Sequence, residues 1–410
     1  MRKTNNTRGL MVTGVCLVMF ATAAAAGEQR GFRAGQANVM TQNIYVGADL
    51  FKILEAQTPA EVPGKVTEIF QDILATDFPD RAEALADLIE TQQPHLIGLQ
   101  EVSDLLTQCP GDAAIGGSQP ATDEFADYLD ILLAALEARG LEYEVAAEVI
   151  NAEVELPALA YAGSPPQPVL PGCTPDFSFP FFDIRLIDRD VILARSDVDY
   201  SGALAMNYST NLTVPTAGGA FEFTRGWTAV QAAVNGRSFV FFNTHLEVSG
   251  NPFARAVQAA QATEMATILG GIDETIVAVG DFNSSAEDGA FVQCAVPNPT
   301  PDNPLFFDCP TPYEILRLSG YVDSWDARGG PWDAGDTCCQ SDLLDNEFSE
   351  LDERIDLIWV RPPSDHYGGP IVRGVRAEVL GDDASDKSPT GLWPSDHAGV
   401  GAQLTIRVPR

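Results

Sequence analysis

The sequence has little positive charge. Among 410 residues it has only four lysines (Lys3, Lys52, Lys65 and Lys387), and 24 lysines and arginines stand against 58 acidic residues, for a formal net charge of −34. Such an acidic surface disfavours loose, purely electrostatic binding to DNA or to an anionic membrane. It does not exclude a nucleic-acid substrate, because a bound metal ion can reverse the local potential.

Several motifs are also absent. There is no G-x-S-x-G, which argues against a serine hydrolase built on a nucleophile elbow. No C-x-x-C pair or cysteine-adjacent histidine supports a zinc site. After the first 26 residues no apolar stretch is long enough to cross a bilayer.

The N-terminus resembles a secretory signal peptide. Arg2, Lys3 and Arg8 precede an apolar run, and small residues ending at Ala26 supply a cleavage site. We therefore expect residues 1–26 to be removed and the mature protein to be secreted, either extracellular or periplasmic. Losing three basic residues would change the net charge from −34 to −37.

Six cysteines remain after this predicted cleavage. An even number in an exported chain suggests disulfides, and six cysteines allow 15 pairings. Cys294 with Cys309 would close a short proline-rich loop, and Cys109 with Cys173 would close a longer one.

The pattern along the chain predicts one α/β domain over residues 27–410. Helices are expected at 80–93, 123–139 and 252–269, and the strand at 38–46 together with the run LIGLQE alternates with them. Strands are also expected at 189–195, 225–234 and 237–246, the last two joined by an Asn235-Gly236 hairpin turn. Disulfide-pinned loop inserts are expected near 103–181 and 294–350. Since no linker separates two halves, we expect a monomer without an obligate protein partner.

Short polar motifs follow most of the apolar runs. Because runs of four to six apolar residues indicate buried strands, side chains at their ends should meet at one edge of a sheet. The polar residues are Asn43 (VMTQN), Glu101 (LIGLQE), His245 (FVFFNTHLE), Asp281 and Asn283 (IVAVGDFN), Asp356 (RIDLIWV), and Asp396 and His397 (PSDHAGVG).

Acidic groups gathered in this way would repel one another without a cation. Oxygen-rich sites select hard ions, so we expect Mg2+, with Mn2+ or Ca2+ as alternatives. Such an ion is suited to phosphate-ester hydrolysis, because it stabilises negative charge on the phosphoryl and leaving oxygens.

The ordered set TQN, LQEV, DVILAR, RGW, NTHLE, GDFNS, RIDLIWV and SDH resembles the endonuclease/exonuclease/phosphatase superfamily, whose best-known fold is that of DNase I. The resemblance covers most of the mature chain. It implies a four-layer α/β sandwich, in which two packed mixed β-sheets are flanked by helices and the site lies at one end of the strands.

The resemblance also implies roles for the motif residues. Asn43, Glu101 and Asp396 would hold or order the metal ion. His397, oriented by Asp356, would accept a proton from water, although the sequence does not decide between His397 and Asp281 as the base.

The remaining motif residues would contact the substrate. Asp281 and Asn283 would contact the water and the scissile phosphate. His245 would donate to a phosphate oxygen or protonate the leaving oxygen. Related repair endonucleases lack a histidine at this position, whereas secreted nucleases, sphingomyelinases and inositol phosphatases keep it. Arg225 would brace the strands without a catalytic role.

The sequence leaves several classes of phosphate ester open as the substrate. We expect a metal-dependent phosphodiesterase acting on nucleic acid or on a phospholipid head group, with an extracellular nuclease ahead of a sphingomyelinase or a small phosphate-ester phosphatase. A non-catalytic secreted binding module should have lost some of the metal or proton-transfer groups, and this chain keeps all of them.

Overall fold

A computed structural model describes residues 35–217, 219–296, 304–329, 333–363 and 375–406. The predicted signal segment 1–26 lies outside these residues. Within them, no helix has both the length and the apolar character that a membrane span requires.

Two β-sheets form the centre of the described structure. The first sheet contains, from one edge, β19 (Arg376–Leu380), β20 (Gly399–Ile406), β1 (Gly35–Asn43), β2 (Leu96–Gln100), β8 (Phe181–Arg195), β3 (Asp104–Gln108) and β4 (Asp123–Asp127), with β5 (Tyr143–Leu159) paired along β8. The second sheet contains β17 (Val322–Asp323), β18 (Asp356–Arg361), β14 (Ile276–Asp281), β13 (Arg237–His245), β12 (Gly226–Val234) and β9 (Asp199–Asn207).

Short ribbons and helices surround the sheets. The ribbons are β6 (Tyr161–Ala162) with β7 (Gln167–Pro168), β10 (Leu212–Thr216) with β11 (Gly219–Phe223), and β15 (Phe291–Val296) with β16 (Leu305–Pro310). The α-helices are α1 (Val62–Ala75), α2 (Phe78–Gln92), α3 (Tyr128–Ala138), α4 (Pro252–Gly270), α5 (Pro312–Leu318) and α6 (Ser324–Ala327). Short 3-10 helices span Leu50–Glu55, Ala113–Ile115, Ala286–Asp288 and Ala384–Asp386.

The two sheets pack face to face because their strands are apolar on both sides. In β13, Phe239 and Phe241 join the core between the sheets, whereas Val240 and Phe242 pack with α4 on the outer side. This alternation is the two-residue period of a strand. Helices α2 and α3 cover the outer face of the first sheet in the same way. The layers therefore run helix, sheet, sheet, helix, which confirms the predicted four-layer α/β sandwich.

Most predicted elements are present. The strands of the motif residues and the helix at α4 lie where the sequence placed them, and the Asn235-Gly236 turn joins β12 to β13. The helix predicted at 123–139 is wrong in its first part. Residues Asp123–Asp127 form β4, which pairs with β3, and the Asp127 side chain then caps α3 at the amides of Leu129 and Asp130.

The insert predicted near 103–181 is also largely wrong. This segment supplies β3, β4 and β5 to the first sheet and α3 to its helical layer, because β8 continues far enough to pair with β3 and β5. Its disulfide, Cys109–Cys173, was anticipated. Helix α1 was not predicted.

The segment near 294–350 lies mainly outside the two sheets, as expected. It begins with the β15–β16 ribbon, which contains the anticipated disulfide Cys294–Cys309. The last pair joins two neighbours in the chain, Cys338 and Cys339. Residues 297–303 and 330–332 of this segment lie outside the described residues.

Candidate active site

The eight predicted site residues meet at one edge of the sandwich. Strands β1 and β2 run parallel in the first sheet, and β13 and β14 run parallel in the second, so their polar ends point the same way. Strand β18 is antiparallel to β14, and Asp356 lies opposite Asp281. The site therefore forms where the ends of both sheets adjoin.

Asn43 joins the two sheets through its side-chain amide. Its Nδ2 donates to Glu101 Oε1 at 2.9 Å and to Asp281 Oδ2 at 3.3 Å, and its Oδ1 accepts from the Tyr45 amide at 3.0 Å. Glu101 also accepts from the Val46 amide at 3.2 Å. Glu101 has a φ of 58°, so β2 ends in a sharp bend that aims its carboxylate back toward β1.

His397 is held by a carboxylate on the far side of its ring. Its Nδ1 lies 2.8 Å from Asp356 Oδ2, and its Nε2 points toward Asp281 Oδ2 at 3.9 Å. Burial lowers the pKa of His397, but the nearby carboxylates of Asp356 and Asp396 outweigh burial and hold that pKa well above its usual range. Asp356 therefore orients the imidazole as the family resemblance predicted.

His245, in contrast to His397, has a lowered pKa. Its Nε2 lies 3.5 Å from Asp281 Oδ2, and its Nδ1 lies 3.0 Å from a guanidinium nitrogen of Arg225. Burial, followed by the charge of Arg225, lowers the pKa of His245 well below its usual value. Because a guanidinium can only donate, Nδ1 is the acceptor and Nε2 carries the proton. Arg225 thus sets the tautomer of His245, a role that the sequence analysis missed.

Asn283 lies just beyond β14, on the same side as Asp281. Its backbone N–H donates to Asp281 Oδ1 at 2.8 Å, and its side-chain Nδ2 donates to the Leu246 carbonyl at 3.0 Å. The residue has a φ of 47°, a conformation that asparagine tolerates better than most side chains. Asn283 therefore ties the strand end that carries Asp281 to the one that carries His245.

The carboxylates of the site fit a cation. Burial raises the pKa of Asp281 to about 7, with the charge of Asp356 adding to the effect. Burial, together with the charge of Glu101, also raises the pKa of Asp396 to about 7. Oδ1 of Asp356 is buried with no hydrogen-bond partner among the described residues. A hard divalent ion would relieve this repulsion and satisfy such an oxygen.

Two groups of potential metal-binding atoms among the described residues differ from the predicted one. Asp281, Asp356 and His397 each offer an atom within 4.8 Å of the others, and so do Cys338, Cys339 and His397, although these two cysteines are joined to each other. The predicted ligands Glu101 and Asp396 line the same cleft as Asp281 and His397, whereas Asn43 is buried behind Glu101 and orders its carboxylate. All three predicted ligands therefore lie at the site.

A buried arginine supports the site from behind. Arg81 of α2 is fully buried and donates to the carbonyls of Ile44 (2.8 Å), Tyr45 (3.1 Å), Thr76 (2.8 Å) and Pro394 (3.0 Å). It therefore connects the loop after Asn43 with the loop before Asp396. The sequence analysis did not identify Arg81. Its position on the apolar face of α2 is the feature of the sequence that indicates its burial.

Part of the segment near 294–350 also lies at the site. The Gln340 amide donates to the Asp396 carbonyl at 2.8 Å, and the Ala398 amide donates to the Thr337 carbonyl at 2.7 Å. Between these contacts, Cys339 Sγ lies 3.9 Å from His397 Nε2. The Cys338–Cys339 pair thus lies beside His397.

No protein-family model matches the sequence, and no curated protein matches it. Solved structures do match. An endonuclease/exonuclease/phosphatase family protein from Bacteroides thetaiotaomicron aligns with a TM-score of 0.50 at 16% identity, over 92% of this chain and 97% of that one. A protein of the same family name from Beutenbergia cavernae aligns at 0.47 and 18% identity, over 91% and 72%.

A third match is D. rerio TDP2, solved in complex with a single-strand DNA product, with a TM-score of 0.49 at 13% identity over 90% of this chain and 99% of that one. At these identities the likeness concerns the fold. The chain has the DNase I-like fold of the endonuclease/exonuclease/phosphatase superfamily, as the order of its motifs predicted.

Proposed function

We propose that this protein is a secreted, divalent-metal-dependent hydrolase of phosphodiester bonds. The observation that carries the proposal is that three side-chain nitrogens lie close to one carboxylate oxygen. Oδ2 of Asp281 lies 3.3 Å from a side-chain nitrogen of Asn43, 3.5 Å from one of His245 and 3.9 Å from one of His397.

Each of these three side chains is also fixed by a further charged group. Glu101 accepts from Asn43, Arg225 donates to His245, and Asp356 binds His397. A site that holds its acids, bases and donors in set orientations is organised for proton transfer and charge stabilisation, which hydrolysis of a phosphodiester requires.

The chemistry follows from these positions. A water beside Asp281 Oδ2 loses its proton to that carboxylate while its oxygen bonds to phosphorus. His397, whose raised pKa leaves a proton on Nε2, orients this water. The bond between phosphorus and the ester oxygen breaks, and the leaving oxygen takes a proton from solvent. The neutral His245 donates its Nε2 proton as a hydrogen bond to a phosphoryl oxygen.

Glu101 and Asp396, with Asn43 ordering them, would hold Mg2+, or Mn2+ or Ca2+ in its place, and the ion would stabilise negative charge on the phosphoryl and leaving oxygens. The protein residues supply the remaining functions. They orient the phosphate, hold the water, and keep one histidine neutral and the other paired with a carboxylate.

Hydrolysis of bis(p-nitrophenyl) phosphate tests this proposal. We expect release of p-nitrophenol with Mg2+, its loss with EDTA, and its loss in His397→Ala. The matched control is His95→Ala, because His95 precedes β2 at the opposite end of the same sheet and accepts from the Asn38 amide. Turnover in EDTA, or full turnover by His397→Ala, would remove the proposal.

Secretion is supported by the sequence of residues 1–26 and by disulfides that join residues 64 and 15 positions apart. Terminal sequencing of the exported protein should find a first residue next to Ala26. Recovery of the uncleaved chain in the cytoplasm would contradict this part of the proposal.

The preference for a nuclease stays a prediction. Nicking of supercoiled plasmid in Mg2+, abolished by EDTA and by His397→Ala, would support it. If the plasmid stays intact while the small ester is hydrolysed, the protein is still a phosphodiesterase. A sphingomyelinase or a small phosphate-ester phosphatase would then be favoured over a nuclease.

A further inference from the structure

The cleft that contains the site continues into an apolar region. Its volume is about 530 Å³, and Glu101, Asp281 and His397 line one end. The other end is lined by apolar side chains of α1, β5, β8, the first 3-10 helix and the β10–β11 ribbon. Those that define its shape are Phe51, Val66, Ile69, Leu156, Leu186 and Phe223.

These side chains form a trough to which several elements contribute. Strands β5 and β8 supply Leu156 and Leu186, which are only partly buried. Helix α1 supplies Val66 and Ile69. The β10–β11 ribbon supplies Phe223, whose ring centroid lies 5.5 Å from that of Phe51. A solvent-facing apolar trough of this kind is suited to an apolar ligand.

The charges around the trough are mainly negative. Its lining includes Asp49, Asp188 and Asp342, and among the described lining residues the basic side chains are Arg225, the neutral His245 and His397. Arg225 is already engaged, since it contacts His245 and lies 3.6 Å from the buried Glu247. A nucleic acid needs basic groups for its successive phosphates, and this cleft does not present them.

We infer that the trough binds the apolar chain of an amphiphilic phosphodiester, a lipid-like ester whose single phosphate lies at Asp281. This inference rests on the proposed function and adds the substrate class. One phosphate requires one cation at the catalytic end, and the chain beyond it gains binding energy in proportion to the apolar area that it removes from water. A cavity of about 530 Å³ lies within the roughly 300–1,000 Å³ typical of ligand pockets.

A series of alkyl p-nitrophenyl phosphates tests the inference, since the leaving group is constant and only the chain changes. With Mg2+, and below the concentration at which the esters aggregate, kcat/KM should rise from methyl through butyl to octyl. Each methylene buried adds up to about fourfold. We expect at least about a 100-fold difference between the octyl and methyl esters, because burial in an open trough is incomplete.

A matched pair of substitutions locates the effect. Leu156→Gln places a polar amide in the trough and should lower the ratio of octyl to methyl kcat/KM by about tenfold. Leu318→Gln makes the same change at a residue of α5 that is 67% exposed and does not line the cleft, and it should leave the ratio unaltered. Phe51→Ala, at a partly exposed residue of the trough, provides a second variant if Leu156→Gln lowers the melting temperature.

The outcomes separate the two proposals. If none of the esters is hydrolysed, the proposed function fails. If the esters are hydrolysed and kcat/KM does not rise with chain length, the inference alone is overturned. Thymidine 5′-(p-nitrophenyl phosphate) carries the same leaving group, and a kcat/KM above that of the octyl ester would overturn the inference in favour of a nuclease.

Discussion

The two ends of one cleft are built on different principles. At the catalytic end, Asn43, His245 and His397 are each fixed by a hydrogen bond to another charged group. At the apolar end, side chains such as Leu156 and Phe223 are only partly buried and are positioned by packing. Reaction type thus depends on a few polar atoms at strand ends, and substrate class depends on surface elements that surround them.

The largest expected effect comes from the catalytic end. Asp281→Asn removes the carboxylate on which three side chains converge, so kcat should fall about 1,000-fold or more for every ester. Because the trough is untouched, the ratio of octyl to methyl kcat/KM should remain. Kinetics on both esters measure this, and a change in the ratio would show that the two ends are not independent.

A smaller effect is expected at the predicted metal ligand. Glu101→Gln should move the midpoint of the Mg2+ activation curve to roughly 10- to 100-fold higher concentration, since one anionic oxygen donor is lost. Excess Mg2+ should restore part of the rate. Glu137→Gln, on the exposed face of α3, is the control. An unaltered midpoint in Glu101→Gln would exclude Glu101 as a ligand.

The smallest effect is on stability. The folded-state pKa values of Asp281 and Asp396, about 7, lie above the value of 3.8 that is usual for an aspartate. Their contribution to stability is therefore present below about pH 3.8 and is lost as the pH rises through about 7. A cation replaces the lost protons, so Mg2+ should raise the melting temperature by a few degrees more at pH 8 than at pH 5.

Calorimetry at the two pH values measures this difference, and two variants separate the ends of the cleft. Asp396→Asn should reduce the dependence on pH, whereas Leu156→Gln should retain it, because the trough contributes no titrating group through that residue. Equal stabilisation by Mg2+ at both pH values would contradict a role for these carboxylates at the cation site.

The sequence predicted that the eight polar residues lie close together, because its signals for this are local. Each site residue directly follows or precedes an apolar run, and adjoining strand ends bring such residues together without further information. The apolar end depends on contacts far apart in the chain, such as the pairing of Tyr143–Leu159 with Phe181–Arg195, which periodicity alone does not reveal.

Two errors have the same origin. The amphipathic pattern at 123–139 favours a helix throughout, yet pairing with β3 makes residues Asp123–Asp127 a strand. The sequence analysis did not predict the hydrogen bond between Arg225 and His245, because this contact joins the start of β12 to the end of β13. Long-range pairing thus overrode local preference in both places.

The pairing of β1 with β20 has a consequence for synthesis. Asn43 ends the first described strand, and His397 stands just before the last one, so the two strands must lie side by side for the site to form. A nascent chain that ends at residue 390 already carries Asn43, Glu101 and Asp281 but lacks Asp396 and His397. Under the proposed mechanism, hydrolysis begins only after Gly399–Ile406 has been made and has paired with Gly35–Asn43, so activity would report on the docking of this strand.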